Sequence, residues 1–137
     1  MLNVLKWSIA VLDKSEFSKI RGTLGKTQKK LAQLLCVSVK AIQSFEQGWR
    51  EIPPQIERQI VFLYIMNRNR ETPDVICWEI MKCPMEKRQE CPAWEFQCGH
   101  LCWFISGTMC YAEEHKSWEE KISICRRCKV LKSVFDL

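Results

Sequence analysis

The stretch "LGKTQKKLAQLLCVSVKAIQSFEQGWREIP", residues 24–53, decides how this chain begins to fold. Leu31, Leu34 and Leu35 recur at helical spacing in a first short run, and Ile42 and Phe45 do so in a second. A hydroxyl side chain able to cap a helix precedes each run, Thr27 and then Ser38, and Gly48 closes the second. The spacing predicts helices over "QKKLAQLL" and "VKAIQSFEQ" with a turn at Cys36 and Val37 between them. Ala32 leaves room for another helix to approach.

Working outward, Asp13 with Glu16 three residues later fits a capping box. A helix is therefore expected through "SEFSKIRGTL", with Phe17, Ile20 and Leu24 on one face and Gly25 as its stop. Downstream, Pro53 and Pro54 open a last helix in which Ile56, Ile60 and Leu63 share a face.

This order of elements closely resembles the Cro and phage-repressor family of helix-turn-helix domains, over roughly residues 13 to 66. The matching positions are Gln28, Leu31, Ala32, Leu35, Val37, Ser38, Ile42, Phe45, Glu46, Gly48 and Arg50. The resemblance implies a helical DNA-binding bundle whose "VKAIQSFEQ" helix enters the major groove of double-stranded DNA. With Ile42 and Phe45 turned inward, Val39, Lys40, Gln43, Ser44 and Gln47 fall on the outward face, behind Ser38 at its start. Lys40 could donate to guanine N7 and O6, Gln43 could pair with an adenine edge, and Val39 could touch a thymine methyl.

Gln28 and Arg50 resemble the family's phosphate contacts, which set register and not sequence. An arginine on the first helix paired with the glutamate of the recognition helix implies an Arg21–Glu46 pair here. Two positions depart from the pattern. Cys36 stands where the family most often has glycine, so a non-glycine residue is expected at positive φ. Lys30 replaces a common acidic residue, losing a helix-dipole contact but adding positive charge. Many members bind paired half-sites as dimers, which makes a homodimer one expectation. No coiled coil is evident, so its contact would fall to the helix at 54–67 or to the cysteine-rich region.

Charge supports the same division of labour. Residues 1–70 hold 12 Lys and Arg against 5 Asp and Glu, while residues 71–137 hold 9 against 11, giving the formal net +5. The basic half is the candidate for nucleic acid. Lys6 and Asp13 interrupt the amino terminus, which lacks the long apolar core of a signal peptide. The longest apolar run, "IVFLYIM" at 60–66, is far short of the ~20 residues that span a bilayer. A cytoplasmic protein with no membrane segment is expected.

Cysteine usage changes as sharply. Of nine cysteines only Cys36 precedes residue 77; Cys77, Cys83, Cys91, Cys98, Cys102, Cys110, Cys125 and Cys128 all follow. In a reducing compartment, clustered thiols hold metal more often than they form disulfides. Aliphatic residues are too few there for an ordinary core, leaving Trp78, Trp94, Trp103, Phe104 and Trp118 to make most of one. All eight thiols are candidate ligands for one or two four-thiolate sites. Cys125 and Cys128 form the sharpest half-site, with Arg126 and Arg127 favouring deprotonation. His100 and His115 are secondary candidates. The other spacings, of five, seven, six, three, seven and fourteen intervening residues, are those of neither a regular zinc finger nor a common ferredoxin. Zinc and an iron-sulfur cluster both remain open, and so do disulfides or free core thiols without a metal.

Cys-Trp pairs at 77–78 and 102–103, "CPAW" between them and the terminal CxxC resemble the two-CW cysteine-rich domain of bacterial regulatory and signalling proteins. That resemblance covers about residues 77 to 130 and implies a boundary more than a function. The expected architecture is mainly α: a small helical-bundle DNA-binding domain at 1–66, a polar linker at 67–76 containing Pro73, and a small irregular, metal-stapled domain at 77–137. The expected function is a sequence-specific transcription regulator with a metal-binding or redox-sensing carboxy-terminal domain. The alternative is a constitutive DNA-binding protein whose zinc-stapled cysteine domain recruits a protein partner. An enzyme is not expected, since the CxxC lacks a βαβ context and no phosphate loop, serine triad or HExxH motif is present.

Overall fold

The computed structural model describes residues 12–69, 76–105 and 117–134. The candidate ligands Cys110 and His115 lie outside these residues. The described chain is mainly α-helical, with no strand among the described residues.

Four helices make the first half: α1 (Lys14–Leu24), α2 (Gln28–Leu35), α3 (Val39–Gln47) and α4 (Pro54–Asn69). Local chemistry fixes the ends of the first three. Asp13 and Glu16 form a reciprocal capping box on α1, the Thr27 hydroxyl oxygen accepts from the Lys30 amide, and that of Ser38 accepts from the Ala41 amide. Capping of this kind stabilises a helix by about 1 kcal/mol. Gly25 and Gly48 close α1 and α3 in the left-handed conformation, at φ 67° and 79°. Cys36 does the same for α2 at φ 56°, the strained non-glycine cap that the sequence implies.

The second half consists of short pieces: α5 (Cys77–Ile80), α6 (Met85–Arg88), α7 (Pro92–Glu95), a 3-10 turn at Cys102–Phe104, α8 (Trp118–Cys125) and α9 (Lys129–Val134). α5, α6 and α7 are each a single turn with no side-chain N-cap. Isolated turns of this length do not persist in water, so tertiary contacts must hold them.

One apolar core runs through both halves. Phe17, Ile20, Leu31, Ile42 and Phe45 join Ile60 and Tyr64 of α4, and the same cluster continues into Trp103, Ile122, Cys125 and Leu131. α4 runs on to Asn69, three residues into the segment expected as a linker, because no breaker interrupts "NRN" ahead of Pro73, and α9 packs on both α4 and α5.

Polar contacts reinforce the junction. The backbone N–H of Leu12 and the indole N–H of Trp118 both donate to the buried Glu57 carboxylate, at 3.1 and 3.0 Å. Arg58 lies against the rings of Phe104 and Trp118 and donates to the Phe104 carbonyl at 2.9 Å. Arg126 reaches Glu16 of α1 at 2.7 Å.

Candidate functional site

Two candidate surfaces emerge, a polar helix face in the first half and a sulfur cluster in the second. On α3, Ala41, Ile42 and Phe45 are buried, while Val39, Lys40, Gln43 and Gln47 are exposed and Ser44 is half-buried. The α3 spacing therefore sorts into the two faces that the sequence predicts. Ser38 is exposed, with its hydroxyl oxygen occupied as the helix cap.

Glu46 organises the back of this face. Arg21 donates to it from Nε at 2.5 Å and from Nη2 at 3.1 Å, and the Gln28 amide adds a longer bond at 3.4 Å. Burial works against the Glu46 charge, but the bonds from Arg21 and Gln28 and the Arg21 charge outweigh it, so its carboxyl titrates below the usual range. The Glu46 bond likewise raises Arg21, against some desolvation. α1, the start of α2 and the end of α3 are thereby tied together through one carboxylate.

Gln28, a predicted phosphate contact, spends one amide N–H on this pair and keeps another. Arg50, its counterpart beyond α3, is exposed, with its guanidinium 5.4 Å from the Phe45 ring centroid. Lys26, Lys29 and Lys30 around the start of α2 are exposed as well. Sequence reasoning passed over Trp49, 77 % exposed between Gly48 and Arg50. Its signal was available: an aromatic residue directly after a helix-ending glycine has no core face to join.

The cysteines divide differently from their spacing. Cys77, Cys102 and Cys128 are buried in a cluster of their own with Ala93 and Val130, and half-buried Cys91, Trp78, Ile80 and Met81 pack against it. Cys125 lies in the main core instead, so the two sulfurs of the CxxC enter different clusters. Cys83 and Cys98 are half-buried. No disulfide joins one described cysteine to another. Among the described residues no three His, Cys, Asp or Glu side chains are arranged to hold one ion.

The Cys102 thiol donates a hydrogen bond to Cys77 and, with nearby backbone amides and the charge of Lys121, draws the Cys77 thiol below its ordinary value despite burial. Burial pushes Cys83 and Cys98 up, and the charges of Cys77 and Cys91 add to that in both cases. The cation acting on Cys77 is thus Lys121, only 1 % exposed. Arg126 and Arg127, the expected activators, are directed to Glu16 and to the Ser123 carbonyl. Lys121 was readable, since 118, 121, 122 and 125 recur at helical spacing and place it on the inner face of α8.

Gly99 positions the cluster's first sulfur. Its carbonyl accepts from the Cys77 amide at 3.1 Å, and a Cβ there would come within 2.8 Å of Ile76 and 3.0 Å of the Cys77 nitrogen. The aromatic residues also separate. Trp78 and Trp94 meet edge-on at 4.9 Å beside the sulfurs, whereas Trp103, fully buried, packs against Phe104 and Trp118 in the shared core. No known family, curated protein or solved structure matches this chain.

Proposed function

We propose that the protein is a sequence-specific DNA-binding transcription regulator, which lays α3 in the major groove of double-stranded DNA and carries a metal-binding or redox-sensing cysteine half. The observation that carries this reading is the two-faced α3. Ala41, Ile42 and Phe45 are consumed by the core, leaving Val39, Lys40, Gln43 and Gln47 in solvent behind a capped, three-residue turn. An α-helix with its side chains is about 10–12 Å across, a fit to a groove about 12 Å wide. Exposed lysines at the start of α2, and Arg50, supply charge for flanking phosphates.

Regulation requires two states of the cysteine half with different DNA affinities. The Arg126–Glu16 and Trp118–Glu57 contacts give a change there a physical route to α1 and α4. The test is selection of bound sequences from a random duplex pool, followed by affinity measurements across a salt series and before and after chelation or oxidation. A recurrent sequence motif, a steep fall of affinity with salt and a shift on treatment are expected. Binding no tighter to any selected sequence than to random DNA would refute sequence-specific recognition.

A further inference from the structure

One pair of thiols is brought together by the backbone around it. Cys77 begins α5, and its amide donates to the Gly99 carbonyl at 3.1 Å. The turn closed by the Leu101 amide on the Cys98 carbonyl, at 2.9 Å, then delivers Cys102 at the start of the 3-10 turn. Both residues are buried in the small apolar cluster, and the Cys102 thiol hydrogen-bonds the Cys77 sulfur. We propose that Cys77 and Cys102 are a redox-active dithiol, which a small hydroperoxide converts to a disulfide and a thiol reductant restores. The inference rests on the redox-sensing form of the reading above and gives it two named sulfurs and a class of oxidant.

The two sulfurs have different parts. A thiolate, and not a thiol, is the nucleophile. The hydrogen bond from Cys102 and the charge of Lys121 favour the thiolate at Cys77 in spite of its burial, whereas burial and neighbouring sulfurs hold Cys83 and Cys98 as thiols. Cys77 therefore attacks one oxygen of the hydroperoxide. The O–O bond breaks, the sulfur becomes a sulfenic acid, and the other oxygen leaves as an alcohol, or as water from hydrogen peroxide. Cys102 then attacks the sulfenic sulfur, the S–S bond forms, and the hydroxyl leaves with the Cys102 proton as water. Two thiols and one hydroperoxide give one disulfide, one water and one alcohol. Exposures of 9 % at Cys77 and 6 % at Cys102 favour an oxidant little larger than water over a bulky disulfide.

Cys102 is also placed to pass the change on. The next two residues, Trp103 and Phe104, leave the sulfur cluster for the shared core, where the Phe104 ring lies 5.5 Å from that of Phe62 on α4 and its carbonyl accepts from Arg58. An S–S bond is about 2 Å long, well inside the contact distance of two sulfurs. Oxidation therefore draws the 3-10 turn toward α5 and pulls on the aromatic pair seated against α4.

The experiment treats the reduced full chain with hydrogen peroxide or, separately, with glutathione disulfide, blocks the remaining thiols by alkylation, and maps the unreduced digest by mass spectrometry. A Cys77–Cys102 linked peptide is expected to form at least about tenfold faster with peroxide. It should disappear on treatment with dithiothreitol and should not predominate when the oxidation is run in concentrated urea. Links among other cysteines in its place, no link at all, or faster oxidation by glutathione disulfide would each overturn the proposal. Cys102→Ser, which removes the second thiol, should leave Cys77 as a sulfenic acid that dimedone captures. Equal capture at Cys102 in Cys77→Ser would refute the division of roles. The parent carries the linkage test by itself, so that test stands even where a serine variant fails to fold.

DNA affinity of the reduced and the oxidised parent is measured apart from the linkage, and a shift of at least about fivefold is expected. Equal affinity in both forms refutes the route through Phe104. Absence of binding in both forms, with the link formed, refutes the DNA reading and not the dithiol.

Discussion

The two halves of this molecule solve the same problem by opposite means. In α1 to α3, every helix start has a side-chain cap, every end a left-handed residue, and the apolar faces close on each other. In α5 to α7 the helices are single turns without side-chain caps, and their small cluster is built of sulfur and indole as much as of hydrocarbon. The first half is specified by its neighbours in sequence. The second depends on partners far along the chain, and part of its stability is drawn from α4, on which α9 packs. A short, strained segment can therefore be ordered without a large core of its own, provided a neighbouring body or a cross-link supplies what local signals do not.

The strongest way to break this comparison is to remove Trp103. It is fully buried in the cluster that both halves share, so Trp103→Ala should destabilise the chain by about 3–5 kcal/mol. Urea unfolding followed by circular dichroism would measure it. If the halves are joined as described, the helices of the first half lose stability too, in one transition. Two separate transitions in the parent, with the earlier one alone affected, would show that the halves fold independently.

A smaller effect is expected at Glu46, whose contacts lie wholly within the first half. Glu46→Gln removes the charge-assisted bonds to Arg21 and should cost about 2 kcal/mol at neutral pH. The sign of the pH dependence follows from the depressed carboxyl: its contribution is full above the unfolded value of about 4.3 and is lost as pH falls through the lower folded value. The gap between parent and variant should therefore narrow in acid. A gap that is constant down to pH 2 would mean that the charge of Glu46 does not matter.

Side chains on the outer face of α3 should touch function and leave both halves standing. Lys40→Ala is expected to alter base preference at one position, by roughly 1–3 kcal/mol of discrimination, with unfolding unchanged. Arg50→Ala should weaken all duplexes alike and reduce the salt slope by about 0.9. Competition binding with single-base variants separates the two. An unaltered preference in the Lys40 variant would remove it from the reading face.

These contrasts also explain how far the sequence could be read. The caps at Asp13, Thr27 and Ser38, the inward set Ile42 and Phe45, and the Arg21–Glu46 pair were legible because each depends on spacing within a turn or on a resemblance carried by the same residues. The shared core was not. Glu57 meets Leu12 and Trp118 across 45 and 61 positions, and no local pattern foretells such a meeting. The CxxC shows the same limit of a local pattern. Spacing puts two sulfurs within one turn, but Cys125 ends α8 facing the core while Cys128 lies past that end, in the sulfur cluster. Proximity in sequence fixed their distance along the chain and left open which cluster each would join.

The smallest expected effect tests whether the first half is as locally optimised as its caps suggest. Among its described residues Cys36 is the one non-glycine held at positive φ, with φ 56° and ψ 44°, and its side chain is exposed. A β-carbon in that conformation costs about 1 kcal/mol, and an exposed thiol recovers little by packing. Glycine has no such strain, although it also gives the unfolded chain more freedom, which offsets part of the gain. Cys36→Gly should accordingly stabilise the chain by less than about 1 kcal/mol, leaving metal content and DNA affinity unaltered. Calorimetric melting at matched concentration resolves a change of that size. A destabilised variant would mean that the Cys36 side chain contributes packing in the α2–α3 turn, and that even the better-specified half depends on a contact its local pattern does not reveal.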